Sequence, residues 1–114
     1  MTESCVFCRI ERGELPSDRV YEDDRVIAFR DINPQAPVHV LIIPRKHIAS
    51  LADLTPGDTE LAGHMLRVAQ QLAEQLGIRE TGYRVLTNCG RDGGQVVFHL
   101  HFHLVGGKPL GRFA

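Results

Sequence analysis

Apolar positions recur along this chain with two periods. After Thr55, the residues Leu61, Met65, Val68, Leu72 and Leu76 fall at helical spacing and predict one long helix. Thr55 suits its N-cap, Pro56 its first position and Asp58 its third, and Gly77 suits the residue just past its end. A short helix is predicted over Cys5 to Arg12, ended by Gly13. The remaining segments alternate with period two. Arg19 to Glu22 and Val26 to Phe29 predict a hairpin around Asp23-Asp24, and the loop Asn33 to Pro37 stops its second strand. Val38 to Ile43, closed by Pro44, is a third strand, with His39, Leu41 and Ile43 on one face. Tyr83 to Thr87 is a fourth. Val96 to Val105 is a fifth, entered through a tight turn at Arg91 to Gly94 and closed by Gly106-Gly107. Five strands, one long helix and one short helix imply an α+β fold, with a five-stranded antiparallel sheet carrying its helices on one side.

A length of 114 residues fits a single domain, 1–114, with 108–114 as a C-terminal tail. Thirteen Lys and Arg against 14 Asp and Glu leave a net charge of −1. That balance excludes a general nucleic-acid binder, which needs a basic face to displace counterions. No apolar run approaches the roughly 20 residues of a membrane span, so no membrane partner is expected. The first residues carry neither a basic nor an apolar signal segment. Three cysteines, two of them in Cys5-x-x-Cys8, fit a reducing compartment, and a cytoplasmic protein is expected.

Histidine changes the picture. In the last predicted strand Phe98, Leu100, Phe102 and Leu104 alternate with His99, His101 and His103, so three imidazoles share one face. Same-face neighbours on a strand are about 6.6 Å apart, which spreads His99 and His103 over about 13 Å. Three rings so spaced do not close easily on one metal ion, whose nitrogen ligands lie about 2.1 Å away, although two can. The spacing does suit a central ring flanked by two others that hold its tautomer or exchange protons with it. A neutral imidazole is a nucleophile near pH 7 and forms phospho-histidine with phosphorus electrophiles. Gly93-Gly94 lets backbone N–H groups approach an anion closely. The local reading is nucleophilic phosphoryl or nucleotidyl transfer at His101.

The segment from Gly94 to Val105 resembles the His-x-His-x-His signature of the histidine-triad (HIT) family. Asp31 to His39, Ile43 to Ile48, Tyr83 to Asn88 and Asp92 to Gln95 resemble further blocks of its Hint branch, so the similarity spans residues 5–107. The resemblance implies a HIT-like fold whose sheet continues across a homodimer. It implies a purine nucleoside phosphoramidate hydrolase that works through a covalent nucleotidyl-histidine and releases a nucleoside 5′-monophosphate. A dinucleoside polyphosphate hydrolase, and a nucleotide-binding regulatory module with little turnover, are the alternatives. By the same match His101 is the nucleophile, His103 flanks the phosphate and takes part in proton transfer, and His39 is the buried partner that orients the nucleophile. Asp31 accepts the ribose hydroxyls, since its two oxygens accept in parallel. Val6, Phe7, Ile10, Phe29 and Ile32 form the purine slot. Asn88, Gly94, Gln95, Val96 and Val97 lie at the phosphate. Two departures bear on the leaving group. Val96 stands where many Hint proteins carry Ser, and the tail has no tryptophan. His103, which is Gln in the hexose-phosphate transferase branch, favours hydrolysis.

Cys5-x-x-Cys8 by itself is half a zinc site or a pair of free thiols. Bacterial relatives that this sequence resembles carry two Cys and two His around a structural zinc, which implies Cys5, Cys8, His47 and His99 as a tetrahedral set. Catalysis in that reading requires no cofactor. A zinc hydrolase that uses the triad as ligands is a separate alternative.

Overall fold

The computed structural model describes residues 4–112; Met1 to Glu3 and the last two tail residues, Phe113 and Ala114, lie outside it. A short helix α1 (Val6–Glu11) is followed by strands β1 (Arg19–Glu22), β2 (Val26–Arg30) and β3 (Val38–Pro44). The helix α2 (Thr59–Gln75) and strands β4 (Tyr83–Leu86) and β5 (Phe102–Gly106) complete the chain. The sheet order is β1-β2-β3-β5-β4, antiparallel at every step. No helix among the described residues is long and apolar enough to cross a membrane.

The α2 helix begins as expected, with one refinement. Pro56–Asp58 form a 3-10 turn, and the α-helix proper starts at Thr59. Thr55 donates from both its amide and its hydroxyl to Asp58 Oδ2, each at 3.0 Å. The Lys46 ammonium reaches Asp58 Oδ1 at 2.6 Å, and these donors hold the Asp58 carboxyl down at about 2. Gly77 leaves the helix with φ of 77°.

Each strand sends alternate side chains to opposite faces, and each face is covered separately. Val26, Ala28, Val40, Ile42, Phe102 and Leu104 meet Met65, Val68, Ala69, Leu72 and Ala73 of α2. Ile27, Phe29, Leu41 and Ile43 meet Phe7 and Ile10 of α1. The two helices therefore flank the sheet on both sides, not on one. A six-residue helix can bury only a few side chains, so the α1 face stays partly open, and a cleft forms beside it.

The last strand is shorter than its alternation implies. Residues 96–101 form no ladder, and β5 begins only at Phe102. Their backbone partners lie elsewhere. Leu100 N donates to Ile48 O at 2.6 Å, and Thr87 Oγ1 donates to His101 O at 2.7 Å. Alternation persists without the ladder. Leu100, Phe102 and Leu104 enter the α2 core, while His99 and His101 both contact the ring of Phe7 on the other side. Phe98 breaks the pattern and is half exposed.

Candidate active site

The cleft beside α1 has a volume of about 560 Å³. Ten of the eleven residues expected to bind nucleotide line it: Val6, Phe7, Ile10, Phe29, Asp31, Ile32, Asn88, Gly94, Val96 and Val97. Three sources supply them. The first turns of α1 bring Val6, Phe7 and Ile10, the end of β2 brings Phe29 to Ile32, and the stretch from Asn88 to Val97 closes the far side. Phe7 and Phe29 meet edge to face with centroids 5.6 Å apart, giving one wall an aromatic surface. Ile32 and Val96 are almost fully exposed at the rim. Asn88 points no hydrogen bond at any described residue and is free to contact a ligand.

Gln95 is the exception. It is buried and turned away from the cleft, and its carboxamide is used entirely within the protein. Oε1 accepts from Gly90 N at 2.9 Å, while Nε2 donates to Ala49 O at 2.8 Å and to Val97 O at 3.0 Å. Gln95 thus braces the turn that the other residues present to the ligand. Glycine is required in this turn for two reasons. Gly94 has φ of 82°, and a Cβ on Gly93 would lie 2.4 Å from Cys89 O.

His39, His101 and His103 also line the cleft. Their hydrogen bonds fix which nitrogen of each carries the proton. The Gln35 backbone N–H donates to His39 Nδ1 at 3.0 Å, so the proton of neutral His39 sits on Nε2. His39 Nε2 then donates to His103 Nδ1 at 2.9 Å, which leaves the His103 proton on Nε2. His101 Nδ1 donates to His99 O at 2.7 Å, and its Nε2 is left unprotonated with no protein partner among the described residues. Burial holds the His101 ring below its ordinary value. His103 is pushed down to about 4 by burial first and then by the rings of His101 and His39. Both rings are neutral near pH 7. The expected contact between His39 and His101 is absent. His39 bonds to His103, and the group that holds His101 is the carbonyl of His99.

Gln35 was not legible as a site residue, because it acts through its main chain. The only hint is its place four residues before His39, in a loop rich in proline. Asp31 follows β2; its Oδ1 accepts from Asn33 N at 2.8 Å and its Oδ2 lies 3.4 Å from His39 Nε2. Asp31, His39 and His103 are close enough together to suggest a metal site. The tautomers argue against it, since His39 Nε2 holds a proton as long as Nδ1 accepts from Gln35.

A different set could hold a metal ion. Donor atoms of Cys5, Cys8, His47 and His99 all lie within 4.8 Å of one another. Cys8 Sγ stands 3.2 Å from His47 Nδ1 and 3.5 Å from His99 Nδ1, Cys5 Sγ stands 3.4 Å from His99 Nδ1, and the two Nδ1 atoms are 3.2 Å apart. A tetrahedron with zinc bond lengths has edges of about 3.4 Å between two nitrogens and about 3.6 Å between nitrogen and sulfur. The four donors fit that figure. His99 Nε2 donates to Pro44 O at 2.8 Å, which turns its Nδ1 lone pair toward the other three. Burial holds His99 down at about 4 and so keeps it neutral. Burial, then the neighbouring Cys5 thiol, pushes the Cys8 thiol up to about 11, so ionising it calls for a nearby cation. Of the triad only His99 belongs to this set; His101 and His103 face the cleft.

Residues 12–110 match the HIT domain family. The chain is 52 % identical to purine nucleoside phosphoramidase of Escherichia coli strain K12 over 111 residues, covering 97 % of this chain and 93 % of that protein. It superimposes on a HIT family hydrolase from Clostridium thermocellum with a TM-score of 0.93 at 54 % identity, covering 96 % of each. A histidine triad nucleotide-binding protein from Candida albicans gives a TM-score of 0.83 at 38 % identity, covering 97 % of this chain and 84 % of that one. With a family match that takes in both β2 and the three histidines, and with relatives aligned almost end to end, the chain belongs to the HIT domain family.

Proposed function

We propose that this protein is a purine nucleoside phosphoramidate hydrolase working through a covalent nucleotidyl-histidine, with His101 as nucleophile. The observation that carries the reading is the pair of opposed tautomers in one cleft, an unprotonated Nε2 on His101 beside a protonated Nε2 on His103. In this reading the purine lies against Phe7, Ile10 and Phe29, and Asp31 accepts from the ribose. The turn at Gly94 to Val97 faces the phosphate. His101 Nε2 attacks the α-phosphorus, and the His99 carbonyl stabilises the ring as it becomes positive. The P–N bond breaks, its electron pair stays on nitrogen, and the amine leaves with a proton passed through His103 Nε2. Water then attacks the same phosphorus, the bond to His101 breaks, and the proton of the water returns to His103 Nε2. The products are a nucleoside 5′-monophosphate and a neutral amine.

Two further elements belong to this reading. Cys5, Cys8, His47 and His99 hold a structural zinc that ties α1 to the segment before β5 and takes no part in the chemistry. The chain forms a cytoplasmic homodimer in which β4, an edge strand, extends the sheet toward its counterpart; the unpaired β4 edge and the exposed Tyr83 and Leu66 support that face. Sedimentation analysis checks the dimer.

The deciding test is His101→Ala with adenosine 5′-phosphoramidate. Turnover falls at least about 10³-fold, while adenosine monophosphate binds within a few-fold of wild type. Acid quench of the wild type and peptide mass analysis place the nucleotidyl adduct on His101. Undiminished turnover in the variant, or an adduct on another residue, overturns the assignment.

A further inference from the structure

His101 stands just outside the sheet ladder. Phe102 is the first residue of β5 to pair with β3, and His103 is the first to pair with β4. The main chain of His101 is therefore fixed by single contacts and not by a strand neighbour. Its own bond from Nδ1 to His99 O runs within one short segment. That bond sets the ring against its own backbone and leaves open where the backbone lies in the cleft.

Two anchors come from the β3 side. His99 Nε2 donates to Pro44 O at 2.8 Å, and Leu100 N donates to Ile48 O at 2.6 Å. A third comes from the β4 side, where Thr87, the residue after β4, donates its hydroxyl to the carbonyl of His101 at 2.7 Å. Because β5 lies between β3 and β4, these anchors grip the segment from opposite flanks. The Thr87 bond runs inward from β4, away from the free edge of the sheet. Of the three it is the one that ends on His101 itself. Continued pairing past Leu86 and His103 would set Asn88 opposite His101; a side chain takes that carbonyl instead.

Nucleophilic attack is sensitive to such an anchor. It needs the reacting atoms about 3–3.5 Å apart and aligned, and a misplacement of about 1 Å costs about 10²-fold in rate. His101 Nε2 has no protein partner among the described residues, so the reactive end of the ring inherits its place from the main chain. Thr87 is not among the residues lining the cleft, whereas its neighbour Asn88 is.

We propose that Thr87 is a positioning residue for the nucleophile, fixing where His101 Nε2 stands in the cleft through the carbonyl of residue 101. The inference rests on the hydrolase reading above and adds a residue to it. Thr87 touches neither the substrate nor the reacting atoms, and no proton passes through it. It therefore contributes to the rate of the covalent step, and not to nucleotide affinity or to the basicity of the ring.

The test compares Thr87→Val, which keeps the branched shape and loses the donor, with Thr87→Ser, which keeps the donor. In single turnovers of adenosine 5′-phosphoramidate, Thr87→Val forms the nucleotidyl adduct about tenfold more slowly than wild type. The Kd for adenosine monophosphate changes by less than about twofold, and the pH midpoint of adduct formation stays at its wild-type value. Thr87→Ser recovers most of the rate. The ¹H–¹⁵N signal of His101 Nδ1–H shifts in the valine variant and returns in the serine variant. Each protein is assayed well below its Tm, so that lost stability is not read as lost rate. An adduct rate in Thr87→Val within about twofold of wild type overturns the proposal. So does an equal loss in Thr87→Ser, or a loss of nucleotide affinity that accounts for the whole effect. If Thr87→Val does not fold, Thr87→Cys, with a weaker donor, takes its place under the same criteria. A wild type that forms no adduct removes the hydrolase reading and this inference with it, whereas an active wild type matched by the valine variant removes this inference alone.

Discussion

The amide of Gln35 stands 3.0 Å from Nδ1 of His39, and this one main-chain proton sets the tautomers of two rings in sequence. A carbonyl in that place would reverse the order. His103 would then present a lone pair where the proposed chemistry needs a proton.

Removing the His39 ring breaks that relay while leaving the cleft in place. His39→Ala lowers kcat on adenosine phosphoramidate by about 10²-fold, within the range of positioned proton transfer. His39→Gln, whose amide can still donate to His103 Nδ1, recovers part of the loss. The distinguishing readout is the ¹⁵N spectrum of the His103 ring. Its proton resides on Nε2 in the wild type and is shared between nitrogens in the alanine variant; an unchanged spectrum counts against the relay.

Acid should act on stability through His103. Its ring is held at about 4, against 6.5 for an ordinary histidine, chiefly by burial. Between those two values the unfolded chain binds a proton that the folded chain refuses, so this contribution is complete above about pH 6.5 and is lost as pH falls toward 4. The urea midpoint declines from pH 7 to pH 5 accordingly. In NMR titrations of the folded protein the His103 ring stays neutral at pH 5.5, and a midpoint near 6.5 would contradict its burial.

Metal analysis checks the four-donor set directly. Purified protein carries one zinc per subunit by native mass spectrometry. Cys8→Ser weakens zinc retention and lowers Tm by several degrees, since metal bound only to the folded chain contributes in proportion to its affinity. Phosphoramidase activity measured below the new Tm survives. Loss of activity with the fold intact would move the metal from a structural to a chemical role.

Gln95→Ala tests the brace under the phosphate turn. Three polar partners lose their hydrogen bonds at a buried position, at a cost of about 2–4 kcal/mol. Denaturant unfolding reads the loss. A cost below about 1 kcal/mol would show that the turn holds itself.

How much of this was legible in the sequence differs from element to element. The α2 helix, both hairpin strands and β3 followed from periodicity and punctuation, because each is built from contacts its own pattern encodes. The reach of β5 did not, since alternation reports which side a residue faces and says nothing about which backbone partner it finds. From 96 to 101 the partners include Ile48, Thr87 and the Gln95 side chain, set by loops that periodicity cannot place. The opposite faces taken by α1 and α2 were hidden for a related reason, because α1 is too short to declare a face. In the site, the resemblance named ten residues that line one cleft. It misdirected Gln95, whose residue type suits a phosphate contact and a turn brace equally. The His39–His103 bond depends on a register across two strands and was invisible without it.

The donors at Cys8, His47 and His99 come from three distant stretches of chain, 39 and 52 residues apart. Were they to hold the proposed metal, the clasp would close most of the polypeptide into two large loops, and such closures reduce the freedom of the unfolded chain more than short ones do. Cys5 to Cys8 would thereby become a fastener for the far end. Trimming by a peptidase up to residue 9 would cut away both sulfurs at once and loosen the support of His101 from more than ninety residues away.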